Sequence, residues 1–140
     1  MGLSSVDRES VVAFRLEKAQ RTFEQAKGNV NLKYWATVAN RLYYAAYYAV
    51  SALIIANGDT AQTHAGIIHV FGAKFVKEGL VPKSVGAHYS QLFSLRMTGD
   101  YGDDFDVEEQ QVLPLLAPTE ELINVVTTLA KEKLKENNNC

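Results

Sequence analysis

Leu32-Lys33-Tyr34-Trp35-Ala36-Thr37-Val38-Ala39-Asn40-Arg41-Leu42-Tyr43-Tyr44-Ala45-Ala46-Tyr47-Tyr48-Ala49-Val50-Ser51-Ala52-Leu53-Ile54-Ile55-Ala56 contains neither glycine nor proline, and its reading decides the fold. Val38, Leu42, Ala45, Ala49 and Leu53 recur at helical spacing as one apolar stripe, while Asn40, Tyr44, Tyr47 and Ser51 form a second stripe with polar tips. The pattern predicts a central helix from near Asn31 to the Asn57-Gly58 stop, buried on two sides: against its own bundle and against something else.

Upstream, Val12, Leu16, Ala19, Phe23 and Ala26 mark one face of a helix from about Ser5 to Lys27. Ser4 or Ser5 caps it, and Gly28-Asn29 ends it. Downstream, Asp59 or Thr60 is expected to cap a third helix with the face His64, Ile68, Phe71 and Phe75, stopped at Gly79 with Leu80 and Pro82 beyond. A fourth runs from about Ser84 to Met97 with Val85, Tyr89, Leu92 and Phe93 inward, broken by Gly99 and Gly102. Asp106 with Glu109 has capping-box spacing for a further helical segment, which Pro114 and Pro118 interrupt, and a last helix runs from about Pro118 to Leu134. Asn137 to Asn139 read as a frayed tail. The expectation is a single all-α domain over 1–140, its core about 5–136, built as an antiparallel bundle of four to six helices.

Composition narrows the function classes. With 47% apolar and 21% charged residues the chain is globular in type, and a net charge of −2 confines any nucleic-acid site to a local patch. The only cysteine, Cys140, permits neither an intramolecular disulfide nor a cysteine metal cluster. No signal-peptide pattern opens the chain, and the longest apolar run, Tyr43 to Ala56, is interrupted by Ser51 and short for a bilayer. A cytoplasmic protein without membrane association is expected.

Phosphate-loop, zinc-protease and nucleophile-elbow patterns are absent. Asp100, Asp103, Asp104 and Asp106 lack the terminal glutamate of a calcium loop, so neither metal nor cofactor is expected. Arg96 carries more information, because it closes an apolar helix face and a half-buried arginine needs an acceptor. Two readings stand: a salt bridge to Asp100 with Tyr101 alongside, or an arginine held open for phosphate. His64, beside Thr63 on an apolar face, is expected to be largely buried and hydrogen-bonded; His69 and His88 are surface or satisfied residues. Tyr43, Tyr44, Tyr47 and Tyr48 suit core or dimer packing, or base stacking.

Taken in order, Asn40-Arg41-Leu42-Tyr43-Tyr44-Ala45-Ala46, then Thr63-His64, then Arg96-Met97-Thr98-Gly99-Asp100-Tyr101 resemble a HEPN domain over roughly Val12 to Leu134. The resemblance is to the stand-alone prokaryotic branch, in which the last segment reads Arg, three residues, Asp-Tyr. It implies a helical bundle that dimerises so that two copies of an Arg, four to six residues, His motif face one cleft. It also implies metal-independent RNase activity in toxins or defence factors, often paired with a minimal nucleotidyltransferase. Arg96 carries over as the motif arginine. The motif histidine does not: the corresponding positions hold Tyr101, Gly102 and Asp103.

Three functions are compatible with these residues. One is a toxin-like RNA-binding protein with endoribonuclease activity, using Arg96, Asp100 and Tyr101, with Asn40, Tyr44, Thr63 and His64 as binding residues. Another is a homodimeric module that binds RNA, a nucleotide or a nucleotidyltransferase partner without cleaving. The third is a structural bundle in which Arg96, Asp100 and Tyr101 close on one another.

Overall fold

The computed structural model describes residues 3–101 and 107–138, with the side chains of 97–101 and 138 outside that description. Helix α1 spans Ser5–Val30, α2 Trp35–Ala56 and α3 His64–Phe71, which continues into a π-helical turn, Gly72–Val76. Then come α4, Lys83–Tyr101; a short α5, Glu109–Val112; a 3-10 turn, Leu113–Leu115; and α6, Leu116–Asn138. The described residues contain no strand, and the helices pack as an antiparallel, all-α bundle.

The central helix is α2, which packs most extensively on α1 and then on α6 and α4. Its expected stripe of Val38, Leu42, Ala45, Ala49 and Leu53 is wholly buried, and Ala46, Ala52 and Ala56 are buried with it. Such small side chains let neighbouring helices approach closely, so α2 is enclosed on two sides within one chain. Val12, Leu16, Ala19, Phe23 and Ala26 of α1 and Leu122, Ile123, Val126 and Leu129 of α6 complete the core.

Helix α6 with its preceding turns, Glu109–Asn137, is long and apolar enough by composition to cross a membrane, although its unbroken apolar runs are short. Its inner face is instead part of this core.

Several boundaries differ from expectation. Gly28 does not end α1, which continues to Val30, a half-buried side chain packed on the core; one interior glycine costs about 1 kcal/mol, an amount that partial burial of a valine is large enough to offset. A turn with Lys33 at φ 60° comes next, so α2 begins at Trp35 rather than Asn31. Neither Asp59 nor Thr60 caps α3. The Asp59 carboxylate accepts from Asn57 Nδ2 at 2.6 Å and Lys74 Nζ at 2.5 Å, and Thr63 caps instead, its Oγ1 accepting from Gly66 N at 2.8 Å.

Gly79, at φ 80°, stops the third helical segment as expected, although Val81 rather than Leu80 is the buried residue beyond it. Gly99 does not break α4, which extends to Tyr101. The capping box is Glu108 with Gln111; the expected Asp106 lies outside the described residues. Asn137 is no frayed tail, since its Nδ2 donates to Ala56 O at 2.5 Å and ties the end of α6 to the end of α2.

Candidate functional site

The tyrosines of α2 form a platform. Tyr43 is fully buried, and its ring lies 5.1 Å from Tyr44, edge-on, 6.2 Å from Tyr47 and 6.1 Å from Tyr89 of α4, nearly parallel to the latter. Helical spacing pairs Tyr43 with Tyr47, four residues on and on the same face of α2, while Tyr89 is brought in by the packing of α4 on α2. Burial pushes the Tyr43 phenol up to about 12, against the nearby Arg96 charge, which lowers it. Tyr89 is raised as well, also by burial. Both phenols are therefore un-ionised at neutral pH.

Two ionisable side chains from different helices border that platform. His64, the first residue of α3, is half-buried and stacks on Tyr47 at 4.5 Å. Its Nδ1 lies 2.6 Å from the Tyr43 hydroxyl. Since Tyr43 keeps its proton, it donates to Nδ1 of one neutral tautomer and accepts from Nδ1–H in the other. Arg96 of α4 is also half-buried, its guanidinium carbon 5.4 Å from the Tyr43 ring and 5.6 Å from the Tyr44 ring. Cation–π attraction at such distances anchors the guanidinium. His64 lies 5.7 Å from Tyr43 and 5.9 Å from Tyr44, so Arg96 and His64 meet the same two rings.

The structure thus joins Arg96, Tyr44 and His64, and His64 is hydrogen-bonded as expected though half-buried rather than largely buried. Thr63 is the cap of α3, which sets where His64 emerges. Asn40 accepts from Arg41 Nε at 3.0 Å and Nη2 at 2.7 Å, and so orients the neighbouring cation. The side chains of Asp100 and Tyr101, and with them the expected closed cluster with Arg96, lie outside the described residues.

Sequence alone assigns Tyr43 and Tyr47 to packing or stacking, and their i, i+4 spacing is the one available signal of a shared role. Of the other histidines, His69 is exposed, whereas His88 is buried and its Nε2 lies 2.8 Å from Thr119 Oγ1. Among the described residues no group of three or more His, Cys, Asp or Glu side chains is placed to hold a metal.

Fold and site together define a helical bundle with an arginine and a histidine converging on an aromatic platform. The chain belongs to the HEPN domain family, whose model matches residues 12–134. It is 31% identical over 126 residues to a "UPF0332 protein" of Thermotoga maritima, covering 90% of this chain and 96% of that one. It is also similar to two proteins of Methanocaldococcus jannaschii. "Putative toxin MJ0605" is 31% identical over 103 residues, with 74% of this chain and 76% of the other covered. "Putative toxin MJ0142" is 24% identical over 101 residues, with 72% and 69% covered.

Proposed function

We propose that this protein is a toxin-like RNA-binding protein and metal-independent endoribonuclease, acting in the cytoplasm as a homodimer and paired with a minimal nucleotidyltransferase that restrains it. The observation that carries the reading is the convergence of Arg96 and His64 on the Tyr43–Tyr44 rings. His64 fills, from another helix, the chemical place left by the missing histidine after Arg96. The names of the Methanocaldococcus relatives support the toxin class.

In this mechanism His64 carries its proton on Nδ1, donated to the Tyr43 oxygen, and Nε2 removes the proton of a ribose 2′-hydroxyl. The 2′-oxygen attacks phosphorus, the bond to the 5′-oxygen breaks, and that oxygen takes a proton from solvent. The products are a 2′,3′-cyclic phosphate and a 5′-hydroxyl. Arg96 stabilises the phosphorane charge, and Asp100 and Tyr101 in the next turn of α4 are assigned to position it.

Incubation of purified protein with total RNA in EDTA tests this. Cyclic-phosphate fragments that disappear with Arg96→Ala support it; intact RNA at high protein concentration refutes the nuclease assignment. A second reading is favoured by Tyr101, Gly102 and Asp103 standing where the motif histidine belongs: the same site holds RNA or a nucleotide without cleaving it. Retained binding without cleavage selects it.

A further inference from the structure

The platform does not stop at the candidate site. Arg41 lies over the Tyr44 ring at 5.4 Å, Tyr44 neighbours Tyr48 at 6.1 Å, and Tyr48 is covered by Lys18 of α1, whose Nζ is 4.7 Å from the ring centre. Lys18 in turn reaches the Phe14 ring at 5.8 Å. Cations and aromatic rings therefore alternate along the seam between α1 and α2, beginning at the ring that Arg96 and His64 share. Tyr44, Tyr48, Lys18 and Arg41 are half-buried, while Phe14 is 56% exposed.

We infer that this seam is a binding track for single-stranded RNA, along which bases stack on Tyr48 and Phe14 while Lys18 and Arg41 meet phosphates. The inference rests on the reading of the Arg96–His64 site as an RNA site and names the path that the strand takes from it. Alternating rings and cations suit an unpaired strand, because every base has a stackable face and every phosphate a charge. A duplex hides those faces.

Charge favours RNA over a second copy of the chain as the occupant. The protein carries net charge −2, yet the track bears Lys18 and Arg41, and exposed Arg21 stands three residues from Lys18 on α1; the nearby exposed carboxylates are Glu17 and Glu24, the latter paired with Lys27. A two-fold interface would set this patch against itself, cation facing cation, which opposes association. A polyanion is attracted by the same arrangement.

The test is fluorescence anisotropy of the full chain with a labelled 12-nucleotide mixed-sequence 2′-O-methyl RNA, which lacks the hydroxyl that cleavage needs, single-stranded and as a duplex. Tyr48→Ala is expected to weaken single-strand binding by about 5- to 160-fold, with Tyr48→Phe restoring it. Lys18→Gln is expected to reduce the slope of log affinity against log salt by about 0.7, the share of one phosphate contact on a single strand. Equal or tighter binding of the duplex overturns the inference.

If Arg96→Ala weakens binding while Tyr48→Ala and Lys18→Gln change it less than twofold, the track fails and the site reading survives. If wild-type protein binds no RNA, both fail. Dissociation of a dimer by Tyr48→Ala in sedimentation, with RNA affinity unchanged, assigns the seam to a second copy and also overturns the track.

Discussion

Replacing Thr119 by valine probes the tie between α4 and α6 with almost no change of shape. Thr119 is fully buried, and its Oγ1 donates to Leu115 O at 2.7 Å. A hydroxyl has one proton, so His88 Nε2, 2.8 Å away, must be the donor in their shared bond, which fixes the His88 tautomer. Valine removes both bonds and strands the Nε2–H of a histidine that is only 8% exposed. Stranding one buried polar group costs about 1–3 kcal/mol. At about 2.1 cal/mol/K of unfolding entropy per residue, that lowers the Tm of a chain of this size by about 3–10 °C. Differential scanning calorimetry at pH 7.5 reads it directly. A Tm within 1 °C of wild type, the shift left by only about 0.3 kcal/mol, would refute the tie.

The same histidine makes stability depend on pH: burial holds His88 below its ordinary 6.5, partly offset by the Glu121 charge, so unfolding takes up a proton below that pH. Stability is full above about 6.5 and declines as pH falls toward the folded value, by at most about 1.4 kcal/mol per pH unit; His88→Leu should flatten urea midpoints between pH 7.5 and 5.5, and an unchanged slope contradicts this. At Gly86, an added Cβ would stand 2.8 Å from Val76 Cγ2 and 3.1 Å from Cγ1. The resulting strain, about 1–3 kcal/mol, exceeds the helix-propensity gain of up to about 1 kcal/mol, so Gly86→Ala should lower the denaturation midpoint. In a Val76→Ala background the same change should raise it, and destabilisation in both backgrounds would mean that Val76 is not the obstacle.

The bundle was legible because its signals are local. The α2 stripe repeats without a breaker, and Ser4 caps α1 as expected, its Oγ accepting from Asp7 N at 3.1 Å. The boundaries that differ depend on distant partners. Asp59 resembles a cap in sequence, but Lys74 takes its carboxylate. Asn137 resembles a loose end, but the Ala56 carbonyl holds it.

The site divides in the same way. Arg96 stood out because a cation closing an apolar face is anomalous within its own helix. The Tyr43–His64 hydrogen bond joins residues 21 apart in sequence, and its register depends on where Thr63 starts α3. Periodicity within each helix says nothing about that register. No histidine lies close after Arg96 along the chain, while the fold brings His64 of α3 to the same two tyrosine rings.

On the proposed reading Arg96 and His64 act together on RNA rather than holding the bundle together. Cleavage of a labelled single-stranded RNA in EDTA, measured on wild type, Arg96→Ala, Arg96→Lys and His64→Ala with a melting curve for each, tests it most directly. Both alanine variants should lose about 100-fold or more of the cleavage rate, the usual contribution of general acid–base or charge stabilisation. Arg96→Lys should recover little, since lysine lacks the planar fork, and the Arg96 variants should melt within about 3 °C of wild type, about 1 kcal/mol for this chain length. His64→Ala, which strands the buried Tyr43 hydroxyl, should melt about 3–10 °C lower and still fold. Cleavage unaffected by either alanine substitution, or a loss that only accompanies a collapse of the melting temperature, would contradict it.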